Sequence, residues 1–170
     1  MHTKDAIRDS LNSTKDMLGM YLADLSDADL LVRPAPHMHA KDAIGLHIAW
    51  QLGHLISTEA HMGQLLSGAK YPELPAGFAE QHDLATAAKD PPTGFATKAV
   101  YLDLFNKVRG ATLAALDKMS DADLDRPTTG QMAANAPTIG ALMLLNANHV
   151  LMHAGQFTVV RQKLGKPVLF

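Results

Sequence analysis

The sequence predicts an all-α fold, a four-helix bundle in which two similar helical hairpins are joined by one long crossover. Three observations carry that expectation. Two segments space their seam residues alternately by four and three, as a bundle helix does: Ile7, Leu11, Thr14, Leu18, Tyr21 and Leu25, then Tyr101, Phe105, Val108, Thr112, Ala115 and Met119. Apolar residues make up 47% of the chain and rest on Ala, Leu and Met, with only 5% aromatics, a balance that favours helix over sheet. The pentapeptide Ser-Asp-Ala-Asp-Leu occurs at Ser26–Leu30 and again at Ser120–Leu124, and the same offset of 94 superposes the two seams.

The first long helix is expected from about Thr3 to Leu25, ended by Ser26-Asp27-Ala28-Asp29. The loop after it contains Arg33-Pro34-Ala35-Pro36, and two prolines so close exclude a continuous helix. The second long helix is expected from near Asp42 to about Ser67, with Ile44, Ile48, Leu52, Leu55 and Leu66 on apolar positions and Gly68 as its stop. Residues 69–96 hold Pro72, Pro75, Gly77, Pro91, Pro92 and Gly94. Connections of this length are uncommon in compact domains and usually cross the fold or shape a site. This one is long enough to run the length of a helix, so the second and third helices can be parallel neighbours. The third helix is expected over about Thr97 to Met119. After a loop with Arg126-Pro127, Pro137 is expected at the first position of the fourth helix, which runs to about Leu164 and stops at Gly165-Lys166-Pro167.

The likeness of the halves extends further. Arg33-Pro34 matches Arg126-Pro127, and Ile44-Gly45 matches Ile139-Gly140. A histidine follows ten residues after each Ile: His54 and His149. A duplicated helical hairpin with an internal pseudo-two-fold accounts for all of these, in one domain over residues 1–170.

Charge and composition exclude several function classes. A net charge of −2 shows no bias towards nucleic acid or membrane surfaces. With no cysteine, neither a disulfide framework nor a thiolate metal site is possible. The longest apolar run, Ala136–Leu151, is interrupted by Asn146, Asn148 and His149 and is too short to span a bilayer. The start, Met1-His2-Thr3-Lys4-Asp5, is polar and has no secretory h-region, so a cytoplasmic location is expected.

The chemistry concentrates in Asn148–Gln156. His149 and His153 are four apart, on one helix face and one turn from each other, so both imidazoles can address one metal ion. The repeat makes His54 the equivalent of His149, at a similar height on a facing helix. The counterpart of His153 is Thr58, so the fourth corner is not a histidine. Three neutral imidazoles with one open position is the arrangement of a catalytic rather than a structural zinc site. A divalent ion there keeps its full charge and lowers the pKa of bound water to about 7, or deprotonates a substrate thiol. Nickel or iron accepts three imidazoles as well. Histidines at this spacing also occur on helices that bind nothing, which leaves open a non-catalytic helical module with a structural metal or none.

Other residues are placed around this core. His47 and His61 lie seven residues either side of His54 on nearly the same face, as extra ligands or substrate-side groups. His37, His39 and His82 fall in loops and are expected on the surface. Gln51, Asn146 and Gln156 are suited to hold the far ring nitrogens of ligating histidines. Glu59 is expected on a solvated helix face, and Trp50 as a core anchor. Gly53, Ala154 and Gly155 are small residues that allow close helix approach or leave room for metal and substrate.

His149-x-x-x-His153-x-Gly155-Gln156, followed by Leu164-Gly165-x-Pro167, resembles the C-terminal signature of the DinB-like (DinB/YfiT) superfamily of metal-dependent enzymes. Ile48-x-Trp50-x-Leu52-Gly53-His54-Leu55 is similar to that superfamily's second-helix motif, which supplies the first ligand. Leu74-Pro75-x-Gly77-Phe78 and Pro92-Thr93-Gly94-Phe95 resemble crossover segments of one of its branches. The resemblance covers nearly the whole chain. It implies an up-down-down-up bundle, a zinc or nickel centre at His54, His149 and His153, and a homodimer. It further implies a small-molecule substrate, with the metal activating a low-molecular-weight thiol or water for transfer to a small electrophile. A metal-dependent hydrolase is the close alternative. Characterised members include mycothiol-dependent maleylpyruvate isomerase and bacillithiol transferases. The residues by which such members recognise particular thiols are not recognisable here, so the thiol is an analogy.

Overall fold

The computed structural model describes residues 2–34, 46–89 and 92–169, and these fold into six α-helices and three short 3-10 turns with no strand. The helices are α1 (Thr3–Leu22), α2 (Ile48–Gly63), α3 (Phe78–Gln81), α4 (Lys98–Lys118), α5 (Asp121–Leu124) and α6 (Ile139–Lys163). The all-helical class expected from composition and seam spacing is the one observed.

The ends of the elements follow local chemistry, and four differ from expectation. α1 stops at Leu22, and Ser26 opens the next turn rather than closing this helix. Its hydroxyl accepts from the Asp29 amide (3.2 Å), and the Asp29 carboxylate accepts from the Ser26 amide (2.8 Å). Ser120 and Asp123 exchange the same two bonds at 3.3 and 2.9 Å, the reciprocal capping that starts α5. Leu30 and Leu124, the last residues of the two pentapeptides, are both buried.

α2 begins at Ile48, not near Asp42. Leu46 and His47 are non-helical, and the His47 Nδ1 caps the helix by accepting from the Trp50 amide at 3.1 Å. Pro36, His37, His39, Asp42, Ile44, Gly45 and Pro91 lie outside the described residues. α2 ends at Gly63, short of Ser67, and tight turns lead on to Gly68 in the left-handed region (φ 71°). Pro137 precedes the cap of α6 instead of opening the helix. The chain there is extended, because Thr128 N donates to Pro137 O and Ile139 N to Arg126 O (both 3.0 Å), and Thr138 then caps α6 through the Ala141 amide. At the other end, Lys166 N bonds to Arg161 O (2.9 Å) and Gly165 N to Gln162 O (3.0 Å). Gly165 at φ 68° completes this left-handed stop.

The four long helices touch as α1 with α4 and α6, and α2 with α4 and α6. Cross-contacts give their directions. Lys4 Nζ donates to Asp117 O (2.7 Å) and Lys98 Nζ to Leu22 O (3.1 Å), so α1 and α4 are antiparallel. Gly140 faces Ile7 and Arg161 donates to Tyr21 O (2.8 Å), so α1 and α6 run together. His82 lies between Gly53 and Tyr101, and Tyr71 between Gly63 and Thr112, so α2 and α4 also run together. α2 and α6 are therefore antiparallel.

The crossover is laid onto α2 at two glycines. A Cβ on Gly53 would come within 2.0 Å of the His82 ring, and one on Gly63 within 2.1 Å of the Tyr71 ring. Trp50 Nε1 donates to Asp83 O at 3.2 Å and fastens the same segment.

Both seams face inward: every residue of the two sets is buried except Tyr21, which is half-buried. The apolar interior is divided. Leu18, Leu22, Leu52, Leu55, Phe105 and Val108 belong to one cluster, and Ile7, Leu11, Met62, Ala115, Leu116 and Leu142 to another. Between them lies a buried polar layer. Arg109 donates from Nε to Glu59 Oε1 and from Nη2 to Oε2 (both 2.8 Å), Thr112 Oγ1 donates to Glu59 Oε1 (2.7 Å), and Arg109 Nη1 donates to Thr14 Oγ1 (3.1 Å) and Leu11 O. Glu59 is thus a buried ion-pair partner, a correction to its expected solvated face.

Candidate metal centre

α2 carries His54 into the groove it shares with α6, and α6 brings His149 and His153 to meet it. The ring centroids are 5.2 Å apart for His54 and His149, 5.4 Å for His54 and His153, and 4.8 Å for His149 and His153. One nitrogen from each ring lies within 4.8 Å of the others. The two Nε2 atoms on α6 are 3.1 Å apart. A tetrahedral ion with nitrogen ligands at about 2.0–2.1 Å requires nitrogens about 3.3–3.4 Å apart. The α6 pair already has nearly that spacing, and His54 brings a third nitrogen within 4.8 Å. Among the described residues this is the group of His and carboxylate side chains with that convergence.

The rings are held from behind. His153 Nδ1 is 2.7 Å from Gln51 Oε1. The Gln51 amide nitrogen is committed to Leu46 O (2.9 Å), so its oxygen faces the ring and His153 carries its proton on Nδ1. That leaves the Nε2 lone pair pointing into the cluster. His54 bonds to the main chain of His82, and the Trp50 indole stacks on its other side at 4.9 Å and 9°.

Burial keeps the three rings neutral. Desolvation, followed by repulsion from its two histidine neighbours, lowers His153 to about 3. Desolvation, followed by repulsion from His54, lowers His149 to about 4. His54 is lowered by desolvation, opposed by its bond to the His82 main chain. Neutral imidazoles, with the His153 tautomer set by Gln51, form a donor set that suits a divalent ion of borderline softness.

The other candidates from the sequence separate. Gln51 is at the cluster. His47 is buried, but it is spent on capping α2 and on an edge contact with Phe95 (4.5 Å). His61 is exposed in the last turn of α2 and does not join the cluster. Thr58 is half-buried. Asn146 is buried, and neither atom of its amide has a hydrogen-bond partner; the buried Gln156 Oε1 also lacks one. Gln51 and Gln156 border a cavity of about 180 Å³ with Leu46, Met152 and Gly155.

Sequence reasoning missed His82. Expected on the surface, it is buried, with Nδ1 2.6 Å from Phe78 O and Nε2 2.8 Å from the Tyr101 hydroxyl. Its main chain holds His54. The signal for it was Gly53: a glycine inside a helix, next to a candidate ligand, marks a place where another group approaches closely.

The family model of the DinB superfamily matches residues 4–157, a span that includes all three histidines. The chain belongs to the DinB superfamily. Among solved structures it is similar to a conserved protein from Enterococcus faecalis, at 16% identity and a TM-score of 0.64, over 98% of this chain and 99% of that one. At that identity the likeness concerns the fold. No curated protein matches the chain. Among the described residues no helix is long and apolar enough to cross a membrane.

Proposed function

We propose that this DinB-superfamily protein is a metal-dependent enzyme in which His54, His149 and His153 hold one divalent ion, zinc or nickel. The observation that carries the reading is the convergence of three neutral ring nitrogens within 4.8 Å, two of the rings being oriented by Gln51 and by the His82 main chain. Bound there, such an ion supplies Lewis-acid activation of a small thiol or of water for transfer to a small electrophile. The chain's own residues contribute the rest: Gln51 sets the His153 tautomer, Trp50 shields one face of His54, and burial keeps the rings from taking up a second proton. Three ligands leave a position for a reactant, which favours a catalytic over a structural role.

The helix directions support an up-down-down-up bundle, and the paired caps at Ser26 and Ser120 support the duplicated hairpin with its pseudo-two-fold. A small-molecule substrate and a homodimer come with the reading through family likeness.

Metal analysis by mass spectrometry of the wild type and of His153→Ala tests it. About one zinc or nickel per chain, lost in a variant that keeps its helical circular dichroism, is the expected result. A wild type that folds without metal and whose unfolding does not respond to added zinc or nickel would sink the reading. Incubation with mycothiol, bacillithiol or glutathione and electrophilic acceptors then separates transfer from hydrolysis by product mass.

A further inference from the structure

The Gly155-Gln156 pair that follows His153 takes no part in holding the three rings. Gly155 lies inside α6, where a glycine disfavours the helix. The other glycines inside α2 and α6 are explained by packing. A Cβ would come within 2.0 Å of a neighbour at Gly53, 2.1 Å at Gly63 and 3.3 Å at Gly140. A Cβ on Gly155 would meet nothing within 4 Å beyond its own helix. What the missing side chain leaves open is the cavity of about 180 Å³ that Gly155 lines.

The walls define what fits. Pro34, Leu46, Met152 and Val159 make most of them apolar, and among the described residues no charged side chain lines the cavity. The cations nearest in sequence, Arg33 and Lys163, are turned to main-chain carbonyls of Ala87, Lys89 and Arg33. Both ends of the Gln51 amide are committed, to His153 and to Leu46 O. Gln156 Oε1 has no partner, so Gln156 is the lining amide with capacity left. By turning its amide it offers either a donor or an acceptor. Size and polarity follow. An apolar cavity of about 150 Å³ holds benzene, so about 180 Å³ admits such a ring with a small substituent. An uncharged lining does not repay the desolvation of an ion, which selects a neutral guest.

The cavity adjoins the metal centre. Gln51 is a wall of the cavity and also the residue that holds the His153 ring. Met152 is next to His153 in sequence and one turn from both His149 and Gln156. From His149 to Gln156 is about 10 Å along α6. We infer that this cavity is the substrate pocket of the metal centre, holding the non-reacting end of a small neutral molecule. That end is a compact apolar body of about the size of a benzene ring, with one uncharged hydrogen-bonding group for Gln156. The inference rests on the metal-centre reading and adds to it the class of substrate.

Benzamide is the probe, with benzoate as its charged counterpart and toluene as the counterpart without an amide. Metal-free protein carrying 13C-methyl methionine is titrated with each, and the Met152 signal is assigned with Met152→Leu. Benzamide is expected to shift the Met152 methyl saturably, with benzoate binding at least about tenfold more weakly. Gly155→Leu fills the cavity from an unstrained helical position; it should keep the helical circular dichroism and lose benzamide at least about tenfold. Gln156→Met should weaken benzamide about two- to tenfold, the contribution of one neutral hydrogen bond, and leave toluene unchanged. In cobalt(II)-loaded wild type the benzamide ring protons should broaden relative to zinc-loaded protein, and Gly155→Leu should remove that broadening. If benzamide does not move Met152, if benzoate binds equally well, or if Gly155→Leu binds like the wild type, the pocket is wrong and the metal centre stands. Benzamide that seats at Met152 without cobalt broadening equally overturns the substrate role. A wild type that takes no cobalt overturns the metal reading itself, and the Met152 shift then reports on the cavity alone.

Discussion

Gln51 offers a direct measure of how far the His153 tautomer is preset. It is buried, with its oxygen 2.7 Å from His153 Nδ1 and its nitrogen 2.9 Å from Leu46 O. Gln51→Met keeps most of the volume and removes both bonds. The Nδ1 proton is then free to move to Nε2, where it blocks the lone pair a metal needs. Loss of such a hydrogen bond behind a ligating histidine typically weakens metal binding about 10- to 100-fold, or about 1.4–2.7 kcal/mol. The metal-free protein should lose about 1–3 kcal/mol as well, because Nδ1–H and the Leu46 carbonyl are left unpaired in a buried site. Gln51→Glu separates the two effects. Its carboxylate still accepts from Nδ1–H, more strongly than an amide does, and raises the basicity of Nε2, so metal affinity should rise while the Leu46 carbonyl still loses its donor. Competition with a chelator for zinc measures the affinities, and urea unfolding of the metal-free proteins measures stability. If Met and Glu at position 51 both bind zinc within about twofold of the wild type, Gln51 does not preset His153 and the account of the site fails.

Glu59→Ala should cost about 3–5 kcal/mol in urea unfolding, since it leaves the Arg109 guanidinium buried with two of its donors unpaired; Glu59→Leu combined with Arg109→Met should recover most of that loss. Gly53→Ala drives a methyl group into the His82 ring, so it should destabilise the fold by about 1–3 kcal/mol and also weaken zinc binding by moving the main-chain group that holds His54; an Ala variant equal to the wild type in both would refute the close packing. In the metal-free protein the folded His149 and His153 are lowered to about 4 and about 3, against 6.5 when unfolded, so from about pH 6.5 down to about 3 the unfolded chain binds more protons and stability must fall as the pH falls. Urea midpoints at intervals from pH 7.5 to 4 check this, and a flat profile that stays flat in the His153→Ala comparison would contradict it.

The helices were legible where the seam repeats. Ile7 through Leu25 and Tyr101 through Met119 announced both α1 and α4, because seam spacing is a property of the helix itself. Boundaries were less legible, because they depend on partners distant in sequence. Pro137 reads as a helix opener until Arg126 pairs with Ile139 and holds the chain extended. His47 reads as one more residue of α2 until its ring is seen to accept the Trp50 amide. The same distinction holds at the site. His54, His149 and His153 were found together because the repeat supplied a long-range relation that spacing alone lacks. Glu59 and His82 were misplaced because their partners, Arg109 and Gly53, belong to other elements and leave only a weak local mark: a glycine in a helix, and an arginine beside a seam residue.

The proposed duplication would account for three histidines at the site rather than four. Two identical hairpins related by a two-fold would bring two copies of each ligand position to the axis and close a four-histidine site, with each far nitrogen held by the same residue type. In that proposal His54 and His149 keep the symmetry, while the second pair differs on both sides of the axis: His153 is an imidazole held by Gln51, whereas its counterpart is Thr58, and the counterpart of Gln51 is the shorter Asn146.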